Sequence, residues 1–123
     1  MNPPRFFARL ALVVLVACTT SCSAAVRVEI SNNSGMEISS IEMVAGSSGA
    51  LLEILPGGMS ATQVLVPRVD SALDLEFETA TGGRHKCVID VYLTRGLRGR
   101  IGVEINSNLS CALRFDETSI WPQ

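Results

Sequence analysis

LDLEFET, residues Leu73–Thr79, alternates without a break. Leu73, Leu75 and Phe77 fall on one side, and Asp74, Glu76 and Glu78 on the other. A strict period of two marks a strand with one buried and one wet face. On a helix the same residues would scatter apolar and acidic groups around every side. The three carboxylates stand in a line about 7 Å apart along the strand. That spacing reads as the solvated face of a sheet rather than as a pair of acids converging on one bond.

The same period extends in both directions. VRVEI places Val26, Val28 and Ile30 on one face. In MEISSIEMVA the phase slips at Ser39-Ser40, which predicts a bulge or bend. ALLEIL ends at Pro56-Gly57-Gly58, and SATQVLV ends at Pro67. Downstream, HKCVIDVYL puts Cys87, Ile89 and Val91 in one phase and leaves Tyr92 off it. RIGVEI alternates Ile101, Val103 and Ile105. LSCALRF is read with Leu109, Cys111, Leu113 and Phe115 facing inward, and DETSIWPQ has no period. Eight short strands separated by turn residues, with no helical spacing after Ala25, predict an all-β chain. The expected fold is a small antiparallel β-sandwich of about seven or eight strands, immunoglobulin-like in architecture. No Cys…Trp…Cys spacing accompanies it, so that likeness extends to architecture alone. At 123 residues the chain holds one such domain, expected over residues 26–123.

The first residues have a different character. Arg5 and Arg9 precede the apolar run Leu10–Ala17, and small residues follow from Cys18 to Ala25. Charge, apolar run and small residues in that order describe a secretory signal, and the run is too short to span a bilayer. LVAC, residues Leu15–Cys18, resembles the lipobox of bacterial lipoproteins. The resemblance covers only the signal and implies removal of residues 1–17, acylation of Cys18 and a short tether over 18–25. The protein is then expected at the cell envelope, facing the periplasm. The alternatives are lipid on Cys22, or cleavage after Ala25 to give a soluble periplasmic or secreted protein.

Export implies an oxidising compartment, where Cys87 and Cys111 are expected to pair. That bond would constrain topology. In a plain meander, Arg100–Ile105 would separate the two cysteine-bearing strands by about 9.6 Å. A disulfide needs Cα atoms within about 7 Å. The strand of Cys111 must therefore cross to the facing sheet or lie directly beside that of Cys87.

Without residues 1–17 the chain carries eight basic and twelve acidic residues, a net charge of about −4. No basic run exists, which argues against a nucleic-acid partner. The net charge also leaves membrane contact to the N-terminal lipid. Catalytic groups are sparse. His85 is the lone histidine and stands beside a turn, so no catalytic residue is assigned. His85, Cys87 and Cys111, with Met36, Met43 and Met59, offer ligands for a metal carrier. A disulfide would remove both thiolates, so neither metal nor cofactor is expected. No small-molecule substrate is inferred.

Recognition fits the remaining features better. TRGLRGR is read as a loop presenting Arg95, Arg98 and Arg100 around Leu97, suited to bidentate contact with carboxylates. Trp121 either plugs the end of the sandwich or anchors a contact. The expected function is a non-enzymatic, lipid-anchored envelope protein acting as a protein-binding or structural module, with another envelope protein as the expected partner. The alternative is an inhibitor or immunity-type protein that blocks an enzyme with the Arg95–Arg100 loop.

Overall fold

A computed structural model describes residues 24–120. The signal segment, Cys18, Cys22 and Trp121 lie outside the described residues. Eight strands run in order: β1 (Val26–Asn32), β2 (Ile38–Ala45), β3 (Ser48–Leu55), β4 (Ser60–Leu65), β5 (Ser71–Thr79), β6 (Arg84–Leu93), β7 (Arg98–Ile105) and β8 (Cys111–Ser119). They form two four-stranded sheets, ordered β4-β1-β7-β8 and β3-β2-β5-β6. The result is the all-β sandwich that the alternation predicts. Its strand order is its own. β1 lies inside its sheet, antiparallel to β4 and parallel to β7.

The core is what period two dictates. Val26, Val28 and Ile30 from β1 meet Leu73, Leu75 and Phe77 from β5, all at most 1 % exposed. The β2 slip is a bulge: Ser40 has φ 49°, and pairing with β5 jumps between Ser39 and Glu42. Ile38 and Ile41 both turn inward as a result.

β8 departs from its sequence reading. Pairing with β7 skips a residue, because Phe115 faces Gly102 while Leu113 faces Val103. Arg114 is the extra residue. The skip reverses the phase, so Phe115 lies on the outer face, over Gly102, and not in the core. Leu109 sits in the preceding turn at φ 67° and is only partly buried. The strand then continues through Asp116–Ser119, which pair with Arg98–Ile101. Asp116–Ser119 contain no apolar side chain, so no hydrophobic alternation marks them as strand in the sequence.

Both open sides of the sandwich are fastened. On one, a disulfide joins Cys87 of β6 to Cys111 of β8, with Cα atoms 6.0 Å apart. These are edge strands of facing sheets, so β8 has crossed, which is one of the two placements the spacing argument allows. On the other, Pro56–Met59 carries the chain from β3 to β4. Here Asn32 is fully buried and fully bonded. Its Nδ2 donates to the carbonyls of Met36 (2.8 Å) and Leu55 (2.9 Å). Its Oδ1 accepts from the Ser34 backbone N–H (3.1 Å) and hydroxyl (2.6 Å). Its backbone N–H donates to Met59 O, and its carbonyl accepts from Gly58 N.

Two outcomes follow from these fasteners. Asn32→Ala strands buried donors and acceptors and should cost about 3 kcal/mol, whereas exposed Asn33→Ala should stay within about 0.5 kcal/mol. Urea unfolding of both variants checks this, and equal losses would contradict it. The cysteines are 24 residues apart in sequence. Replacing both with Ala should lower stability by about 3 kcal/mol with the strand content kept. The same measurement with circular dichroism reads that result.

Candidate functional site

Sheet β4-β1-β7-β8 presents an outer face with an unusual composition. Arg27 of β1 and Arg100 of β7 are direct neighbours in the parallel pairing. Both point outward, since Val26, Val28 and Ile101 beside them are buried. Two adjacent like charges on a sheet face repel unless something anionic answers them. Arg100 is answered: its Nε donates to Glu117 Oε1 at 2.9 Å. That hydrogen bond first, and the Glu117 charge second, raise the Arg100 pKa and hold the guanidinium charged. Arg27 has no ion-pair partner among the described residues. Arg114, the bulge residue, donates to Ser31 Oγ at 2.9 Å and stands 3.9 Å from Glu29.

Phe115 gives this face its shape. The Arg100 guanidinium lies 4.9 Å from the Phe115 ring centroid, a cation–π contact. The ring sits directly over Gly102, where any Cβ would run into it. Gly99, two residues beyond Ile101 toward the strand's start, has φ 127° and abuts the Glu117 backbone. The two glycines of β7 thus let β8 approach closely. Arg27, Glu29, Thr62, Arg100 and Phe115 line a depression of about 370 Å³. It combines an aromatic wall, a hydroxyl, the Glu29 carboxylate and two guanidiniums, of which Arg100 is already bonded to Glu117, so Arg27 is the group left to meet a carboxylate.

The sequence reading located part of this site. Of the TRGLRGR residues, only Arg100 lines the depression. Leu97 is 7 % exposed and packs in the core, so it cannot serve as a loop tip. Arg98 and Arg100 belong to β7 rather than to a loop. Arg95 is exposed on the Thr94–Leu97 connection, and its backbone N–H donates to Asp70 Oδ1 at 3.2 Å. The structure therefore does not gather the four residues. Phe115, Arg27 and Thr62 were missed. The bulge hides Phe115, and the parallel β1–β7 register that pairs Arg27 with Arg100 has no local signal.

The other sequence candidates have structural surroundings. The disulfide takes both cysteine sulfurs, and His85 stacks on Phe77 with centroids 5.6 Å apart. Met43 is in the core, while Met36 and Met59 are exposed at the loops. Two of the three outward acids of β5, and Glu42 of β2, are bound by one arginine. Arg84 pairs with Glu76 (3.0 Å), Glu78 (3.2 Å) and Glu42 (3.1 Å). All four side chains are well exposed, so each pair contributes little alone.

If the ring's seat on Gly102 shapes the depression, Gly102→Ala should destabilise the domain by about 1–3 kcal/mol through overpacking. Adding Phe115→Ala should recover much of that loss. A double-mutant cycle in urea checks it, and additive losses would mean the two positions do not touch.

No family model matches the chain, and no curated protein matches it. Among solved structures, an NMR structure of a protein from Eubacterium rectale is similar at 14% identity, covering 76% of this chain and 89% of that one, with a TM-score of 0.46.

Proposed function

We propose that this protein is a non-enzymatic envelope module, tethered by an acylated Cys18 and recognising an acidic segment of another envelope protein. LVAC at the end of the apolar run supports the tether. The Cys87–Cys111 bond suits an oxidising compartment. The observation that carries the recognition role is the uncompensated Arg27 beside the Phe115 wall. A carboxylate entering there would meet Arg27 and the Thr62 hydroxyl, with the Phe115 ring covering its apolar stem. Such a charge pair on a shaped surface supplies register and selectivity. The blocking-loop alternative is weakened because its apolar residue, Leu97, is buried.

Two arms test the reading in cells. Labelling with a palmitate analogue should mark the wild type and not Cys18→Ser, and equal labelling would move the lipid to Cys22 or remove it. A photo-cross-linking residue at Thr62 should capture one discrete envelope protein. Arg27→Glu should abolish that product by charge reversal, and a product indifferent to Arg27→Glu would overturn the assigned face.

A further inference from the structure

We infer that the pole where the chain enters the sandwich is a membrane-facing surface that seats on anionic phospholipid headgroups. The inference rests on the tether reading above and concerns a different part of the molecule from the Phe115 depression.

The strand registers define this pole. Val26, Leu65, Arg98 and Ser119 lie together at one end of their sheet. Ala45, Ser48, Ser71 and Leu93 end the other sheet. The connections Val66–Asp70 and Thr94–Leu97 join those ends, and Gly99 N donates to Ala25 O beside them. The chain therefore emerges toward Cys18 between the two loops.

Charge is distributed unevenly along the long axis. At this pole the loops carry Arg68 and Arg95, and Arg98 opens β7; Asp70 is the acid among these loops. Neither Arg68 nor Arg95 has an ion-pair partner among the described residues. The four connections at the far pole, residues 33–37, 56–59, 80–83 and 106–110, contain Glu37 and no lysine or arginine, and Arg84, which opens β6 there, is paired with three carboxylates. The net negative charge thus conceals a basic end.

That end is shaped to receive anions. Arg68 and Arg95 face a cleft of about 640 Å³, walled by Ala24, Val66, Pro67 and Gly96. Flanking this connection, and outside the cleft lining, Thr94 Oγ1 and Arg98 Nε are buried with no hydrogen-bond partner among the described residues. Unanswered buried donors are rare in folded proteins. Exposed apolar groups rim the same pole: Val69, Tyr92 and Ile120, each at least half exposed. Cations and an amphipathic tyrosine beside apolar groups are the mixture favoured at the headgroup level.

Tether length selects the occupant. Six peptide steps separate Cys18 from Ala24, a reach of about 20 Å at full extension. Arg68 and Arg95 would then be held close to the leaflet that carries the acyl chains. Attraction to anionic lipid acts over about 8 Å at physiological salt. Confinement by the tether makes even weak headgroup contacts effective. A second leaflet or a soluble phosphate gains no such advantage.

The full mature lipoprotein is reconstituted into vesicles of phosphatidylcholine alone or with 30 % phosphatidylglycerol, and amide exchange is followed. With phosphatidylglycerol, the amides of 66–70 and 94–97 should exchange at least about threefold more slowly, while those of 80–83 and 106–110 do not change. High salt, or Arg68→Glu with Arg95→Glu, should abolish the protection. The mass of the N-terminal peptide is read first. An unmodified Cys18 removes the tether and the inference with it. An acylated Cys18 with equal exchange in both vesicles overturns the membrane-facing pole and leaves the tether reading intact.

Discussion

The amide of Asn32 ties the end of one sheet to two neighbouring strands of the other. It lies at the end of β1, in one sheet, and binds carbonyls at the entrance to β2 and the end of β3, in the other. An asparagine side chain offers two donors and an oxygen with two lone pairs, and here all four are used. Burying such a group costs free energy unless every bond is made. The four bonds therefore admit one placement of the β1–β2 loop and one of the β3–β4 corner. The facing of the two sheets at this edge depends on that placement. The disulfide performs the matching service at the opposite edge, by covalent restraint.

Between these edges, the outer surfaces of the two sheets differ. One bears a net of carboxylates drawn onto Arg84. The other bears arginines, one aromatic ring and a depression that glycine makes possible. The first sets three carboxylates against a single guanidinium. The second leaves Arg27 unanswered, and that asymmetry directs the functional reading to one sheet. A charge kept beside an apolar wall contributes little to the isolated domain and is well placed for a partner.

How much could be read in the chain depended on whether neighbours in space were neighbours in sequence. LDLEFET gave β5 and its buried face because alternation is local. Ser39-Ser40 gave the bulge for the same reason, since a phase slip is visible within six residues. Cys87 and Cys111, once paired, excluded a plain meander, because a bond length limits strand order, but left open whether β8 crosses or lies beside β6. Phe115 was placed wrongly because its bulge is shared with β7, and the sequence of β8 alone does not reveal it. Leu97 looked like a loop tip among arginines, yet its turn folds it into the core. Arg84 could not be matched to three carboxylates, because Glu42 reaches it only through the pairing of β2 with β5.

The position of β1 bears on when the fold can form. It is the first strand of the sandwich, yet it lies inside its sheet and not at an edge. Its partners are β4 and β7, and its pairing with β7 joins Val26 to Gly99. No early hairpin can shelter it, so its hydrophobic face waits until most of the chain exists. Pairings so distant in sequence slow folding, because loop closure precedes any gain from contact. The β2–β3 and β5–β6 hairpins can form as their residues appear, whereas the β1–β7 pairing waits for residues 98–105. The sheet that holds β1 is completed only when the last two strands arrive.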